Sequence, residues 1–362
     1  MNLVHRARVP AVTLTLLALT FLALMLAGCG SPGGPGPAAP GPAAPASRIP
    51  ASPRVSALTQ ATSPCAASGG VLVRSAKNLT SALAKARPGE TIRLAPGNYD
   101  GDFIAAASGT PTAPITLCGP RSAVLDGGGV SHGYTLYLDH ASWWRVAGFT
   151  VEGGQKGIMT DGADYDLLYG LFVHTIGDEG IHLRDFSSHD TISHCVIQDT
   201  GLLVQFYGEG IYVGSAHSNW CRYTACQPDR SNGDVIEDND ISDTTAENID
   251  IKEGTTGGEI IGNHFDGAGM ISSAATAWVN VKGNDWTVEY NTGVNSIKDG
   301  FQVHQVYPGW GIGNIFRAND AQVNGPGYGF FVQNKRLRTV LACDNKVSRA
   351  GRGFSTIACT RA

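Results

Sequence analysis

The stretch AENIDIKEGTTGGEIIGN, residues 246–263, alternates isoleucines with charged and amide side chains, then passes through glycines and threonines into a second short apolar run. Alternation of this kind marks a strand with one buried face. Glu247, Asp250, Lys252 and Glu253 nevertheless crowd this one short strand and its ends. The reason for that crowding depends on what the fold places beside them.

Reading outward, the same pattern recurs. GIMTDG at 157, GIHLRD at 180, GIYVGS at 210, NIDIKE at 248, WVNVKG at 278, GFQVHQ at 300, GFFVQN at 329 and GFSTIA at 353 align with steps of 23, 30, 38, 30, 22, 29 and 24 residues. A second series keeps step with the first: DLLYGLFV, DTISHCVI, DVIEDNDI, GEIIGNHF and WTVEYNTG among others. Each repeat holds two or three short strands separated by Gly, Asn and Asp turns, and none is large enough to bury its own apolar face, so the copies must stack. A leucine-rich repeat would need a Leu-x-x-Leu-x-Leu frame and a helical half, and neither occurs. The pattern resembles the pectate-lyase-like proteins, which implies an all-β fold: a single-stranded right-handed parallel β-helix, a solenoid, with an N-terminal capping helix expected over residues 78–86.

Stacking allows the two faces to be read. Ile181 and Leu183, Ile211 and Val213, Ile249 and Ile251, Val279 and Val281, Phe301 and Val303, and Phe330 and Val332 are expected to point inward. With coils ~4.8 Å apart, the outward positions form files along the surface. One file reads His182, Tyr212, Asp250, Asn280, Gln302, Phe331; the next reads Arg184, Gly214, Lys252, Lys282, His304, Gln333. A third, two residues before the first core position, reads Glu179, Glu209, Glu247, Ala277, Asp299, Tyr328.

These files carry the candidate chemistry. Glu179, Glu209 and Glu247, with Asp250 beside them, would repel one another unless protonated, held apart or bridged by a cation, and an all-oxygen set on a rigid ladder suits Ca²⁺. Lys252, Lys282, Arg184 and His304 form a cationic file next to the acids, apt for gripping and deprotonating an acidic sugar. Tyr212 and Trp278 are expected to stack on sugar rings, with His182 and Asn280 as polar contacts to substrate. Neighbouring positive charge is expected to depress the Lys252 pKa, and Lys252 is expected to be exposed.

ENIDIKEGTTGGEIIGNHF resembles the motif of the chondroitinase-B/alginate-lyase family of polysaccharide lyases, in which a Glu precedes a Lys by five residues, as Glu247 precedes Lys252. The resemblance implies that Glu247 helps to bind Ca²⁺ and that Lys252 removes the proton α to a uronate carboxylate. It also implies an assisting arginine one coil on, where this chain has Lys282. Thr245 and Glu253 depart from the family pattern, which has an acidic residue and a serine there. The implied activity is a polysaccharide lyase that cleaves a uronate-containing polysaccharide by β-elimination. Two other readings share the fold: a polygalacturonase-type hydrolase using Asp178 and Glu179, and a non-catalytic surface protein that binds glycans.

The ends of the chain bear on its location. Residues 1–28 pair Arg6 and Arg8 with a short apolar run, the form of an export signal, and Leu26-Ala27-Gly28-Cys29 resembles the lipobox of bacterial lipoproteins, which implies acylation of Cys29. Residues 29–63 are Gly, Pro, Ala and Ser in the main and read as a tether. Residues 64–362 form the β-helix domain. Removing the signal takes away two arginines and no acids, leaving 24 basic against 31 acidic residues. That balance excludes nucleic acid as a partner and makes any anionic substrate depend on a local cluster of cations or a metal. The chain is therefore expected to be exported, lipid-anchored or secreted, monomeric, and to touch a membrane only through Cys29. Disulfides Cys221–Cys226, Cys343–Cys359 and Cys65–Cys118 are expected, with Cys195 packed in the core.

Overall fold

The computed structural model describes residue 65 and residues 69–361. The signal at 1–28, Cys29 and the tether at 29–63 lie outside the described residues. The rest is a right-handed parallel β-helix whose strands fall into three parallel sheets of eleven, ten and ten strands. One coil supplies one strand to each: Ile249–Ile251, then Glu259–Ile261, then His264–Asp266. The ten-stranded sheet containing Ile249–Ile251 runs from Phe103–Ala105 to Gly353–Ser355 and is called the groove sheet below.

Its register is the one the alternation predicts. Ile211 pairs with Ile249 and Ile249 with Val279, while Tyr212 pairs with Asp250 and Asp250 with Asn280. His182 stands beside Tyr212, and Gln302 beside Phe331. All twelve inward residues named above are buried. The N-terminal cap is the helix Ala76–Leu83, which starts earlier than expected because the Ser75 hydroxyl accepts a hydrogen bond from Asn78 N at 3.3 Å and fixes the first turn. Leu79 and Leu83, one turn apart, seal the end of the core. The three expected disulfides are present, and Cys195 is a buried free thiol.

Polar ladders fix the turns between sheets. Asn239, Asn263, Asn291, Asn319 and Asn345 stack so that each Oδ1 accepts from the backbone N–H of the preceding ladder residue and, along the ladder, from its Nδ2, at 2.9–3.0 Å. The turn leaving the groove sheet uses carboxyls instead. Asp166, Asp190 and Asp234 each accept one backbone N–H through Oδ1, at 2.7 to 3.0 Å, while each Oδ2 is buried without a partner. Burial pushes all three well above the ordinary carboxylate range, and the neighbouring aspartates add to the rise.

The folded protein thus holds protons that the unfolded chain releases above about pH 3.9. The resulting stabilisation is complete below that value and declines as pH rises toward the folded pKa values. Asp190→Asn replaces the acid with a neutral amide of the same shape, so its thermal midpoint should exceed that of the parent at pH 8 and match it near pH 3. Equal midpoints at both pH values would show that Asp190 carries no such proton.

Candidate active site

The files meet over one buried carboxylate. Asp250 projects from the middle of its strand, and its two oxygens receive the ammonium groups of Lys252, at 2.6 Å, and Lys282, at 2.5 Å. Burial works against ionisation of Asp250, but the two lysines outweigh it and hold the carboxyl below its usual range. The Lys252 ammonium also sits 4.6 Å from the centre of the Tyr212 ring, close enough for a cation–π contact. Tyr212 is buried, and burial raises its phenol further above its usual range than Lys252 lowers it, so the hydroxyl keeps its proton. On the other side, Asn280 Nδ2 donates to Glu247 Oε1 at 3.2 Å, and Asn280 Oδ1 meets His304 Nδ1 at 3.0 Å. Burial and Lys282 push the His304 imidazole down to about 4, so it is neutral at physiological pH.

Glu209, Glu247 and Asp250 bring one oxygen each to within 4.8 Å of one another. Burial, with Asp250 and Glu247 adding to it, pushes Glu209 up to about 8, and its Oε2 is buried without a partner. An unpartnered oxygen beside two more carboxylates is the donor set a hard cation takes, so the trio fits Ca²⁺. Glu179, the fourth expected ligand, is elsewhere: Lys156 forms an ion pair with it, and His182 Nδ1 lies 3.5 Å away.

Several expectations are corrected. Lys252 is not exposed, its side chain being only 15% accessible. Nor is its pKa depressed: burial lowers it, but Asp250, Tyr212 and Glu209 more than compensate, and the amine is held well above its usual value. The cations of the file are separated from one another by the carboxylate that binds them. Arg184 is committed to Asp161 through two bonds of 2.7 Å and lies 3.8 Å over the Tyr223 ring, two coils from Lys252. His182 Nε2 donates to the backbone carbonyl of Gly214 at 2.9 Å and is held by the sheet.

Trp278 does not face a substrate. It is fully buried, with Nε1 donating to Val294 O at 2.9 Å. The corresponding position in other coils is Gly157, Gly180, Gly210 or Gly300, because a side chain there turns into the barrel. Gly293 makes room for the indole: a Cβ at that glycine would lie 2.6 Å from it. Trp286 is likewise core.

The sequence reading missed what covers the files. Cys221–Cys226 ties a loop after Val213 whose Trp220 and His217 pack against Tyr307, with ring centres 5.3 and 4.9 Å apart. His217 also claims Glu253, which accepts its backbone N–H at 2.7 Å and meets its Nδ1 at 2.8 Å. Glu253 therefore turns away from Lys252. The signals for this loop were the long step between GIYVGS and NIDIKE and the expected Cys221–Cys226 bridge, neither of which shows what its rings touch.

A β-helix with lysines, a phenol and carboxylates buried along one sheet defines an enzyme acting on acidic polysaccharide. The comparisons agree. The chain is similar to an alginate lyase from Paenibacillus sp. str. FPU-7, with 34% identity over 80% of this chain and 99% of that one and a TM-score of 0.74. It shares its fold with pectate lyase Pel9A (15% identity, 78% of this chain and 79% of that one, TM-score 0.50). It shares it also with the periplasmic alginate epimerase AlgG (12% identity, 75% and 61%, TM-score 0.52). No family model matches the chain, and no curated protein does. The chain belongs to the right-handed parallel β-helix polysaccharide lyases.

The corrected place of Trp278 has a measurable consequence. Trp278→Ala should cost about 3–5 kcal/mol of stability by emptying a core site. Denaturant unfolding checks this, and an unchanged midpoint would return Trp278 to the surface.

Proposed function

We propose that the chain cleaves alginate by β-elimination in the groove over Tyr212, Asp250 and Asn280. The observation that carries the reading is the Lys252–Asp250–Lys282 cluster with the Tyr212 ring against it, which gathers the groups for proton transfer and for holding a carboxylate within three successive coils. Alginate is named because the 34%-identical relative is an alginate lyase.

In the reaction the proton at C5, α to the uronate carboxylate, leaves to a base. The C–H electrons form the C4=C5 double bond, and the bond from C4 to the glycosidic oxygen breaks with its electrons passing to that oxygen, which takes up a proton. Lys252, as the free amine, is assigned the C5 proton, so it must first shed the proton that Asp250 stabilises. The protonated Tyr212 phenol beside it supplies a proton to the leaving oxygen. Lys282 and Asn280 face the carboxylate and stabilise the charge that develops on it. Ca²⁺ held by Glu209, Glu247 and Asp250 would add electrostatic neutralisation of that carboxylate. Arg184, paired with Asp161, supports the groove wall. Outside the described residues, Cys29 is assigned the lipid that anchors the domain to the outer face of a bacterial membrane, with three disulfides suited to that oxidising setting.

Lys252→Ala should lower the formation of unsaturated uronate ends, read by the ultraviolet absorbance of the new double bond, by about 10²–10⁴-fold. Near-parent rates from the folded variant would remove Lys252 from the mechanism. Reducing ends without that absorbance would indicate a hydrolase instead. Chelation should reduce the rate if the carboxylate trio holds its cation, and unchanged turnover after exhaustive chelation would assign neutralisation to Lys282 and Asn280 alone.

A further inference from the structure

A second feature lies on coils nearer the N-terminus, at the turn leaving the groove sheet. Trp143 stacks on Tyr165, with ring centres 4.3 Å apart and planes at 8°, and Tyr165 stacks on His189 at 4.9 Å and 16°. The three occupy one position of successive coils, because Arg145, Leu167 and Thr191, two residues after each, are register partners. All three hold a left-handed backbone, with φ of 61°, 60° and 61°. Bulky residues enter that region only at a cost.

Continuing the register, the same position is Gly233, Gly257, Asp285, Gly313 and Arg338, also at positive φ. Four successive coils make the turn with glycine or aspartate and the fifth with a non-aromatic arginine, so three consecutive rings are a departure that the fold does not require.

The rings border a cavity of about 270 Å³, which Arg145, Asp166 and Pro114 also line. That size is a little below the range of sites for drug-sized ligands and suits a single sugar ring. Arg145 and Tyr165 are exposed, while Asp166 is buried with its Oδ2 unpartnered. Aromatic walls with a few convergent polar groups are the usual make-up of a small-molecule site. Tyr165 has a ring on each face, so a pyranose C–H face packs on the outer face of Trp143 and along the edges of the stack, the Asp166 carboxyl meets a sugar hydroxyl, and the Arg145 guanidinium complements a uronate carboxylate.

We propose that Trp143, Tyr165, His189, Arg145 and Asp166 form a second sugar-binding site, separate from the Lys252 groove, that holds one uronate residue of the polysaccharide. It retains the polymer on the protein between cleavage events. The choice of a uronate polymer rests on the lyase reading above.

The test uses the full chain and alginate as the probe. Tyr165→Gly with His189→Gly removes the rings and keeps the turn, because glycine occupies this position in later coils. Arg145→Gln removes the charge alone. In a Lys252→Ala background, each change should weaken retardation in alginate-containing gels by about three- to tenfold, the value of one aromatic or charge-assisted contact. With Lys252 intact, KM for the polymer should rise while kcat, and turnover of short oligosaccharides, stay at parent values. Retardation and polymer KM unchanged in both variants overturn the second site and leave the lyase reading intact. Retardation that falls in the variants while no uronate polymer yields unsaturated ends overturns the lyase reading and keeps the sugar site.

Discussion

Everything in this molecule depends on parallel strands stacked in register. Each coil places one residue in each file, so positions 22 to 38 apart in sequence become neighbours in space. Tyr212, Asp250 and Asn280 are adjacent because Ile211, Ile249 and Val279 pack beneath them. Slipping one coil by a single residue would exchange its inner and outer faces, and the apolar core forbids that. The asparagine ladder adds a polar constraint at a second edge, since each amide bonds its equivalent one coil away as well as neighbouring backbone groups. The same stacking that builds the core therefore sets the spacing of the catalytic groups.

Placing charges so closely has an electrostatic cost, and the site meets it locally. Asp250 is buried but carries two ammonium partners, whereas Glu209 has no cation bonded to its Oε2 and is driven toward its neutral form. Removing either lysine leaves Asp250 with less compensation, and removing Asp250 leaves two ammonium groups facing each other. The cluster behaves as a unit, and substitutions within it will not be additive. It also explains why the lysine file does not repel itself: the carboxylate sits between its members.

Much of this was legible in the sequence. The period-two isoleucines and valines set the inner face, and the aligned segments set the coils, so His182, Tyr212, Asp250 and Asn280 could be placed in one file before any coordinates. The local Glu247-to-Lys252 spacing pointed to the lyases. What was not legible came from contacts made across the files or by inserted loops. Lys252 looked exposed because nothing in NIDIKE declares the Tyr212 ring, one coil away, against which its ammonium packs. Its pKa was expected to fall because neighbouring cations were counted without the Asp250 bonds that join them. Trp278 looked outward because strand alternation says so, but near the start of its strand the indole turns inward, and only the space left by Gly293 shows it to be core. Glu179 was grouped with Glu209 by spacing, yet Lys156, at the same position of the file one coil earlier, takes it away.

The central claim is that one uronate residue lies over the Asp250 file with its C5 toward position 252. A crystal structure of the Lys252→Ala protein soaked with an alginate oligosaccharide tests it most directly. The account predicts a uronate with its carboxylate against Lys282 and Asn280, its C5 hydrogen directed at the vacated lysine position and its glycosidic oxygen near the Tyr212 hydroxyl. An oligosaccharide bound elsewhere with none over this file, or one whose C5 hydrogen points away from position 252, would contradict it.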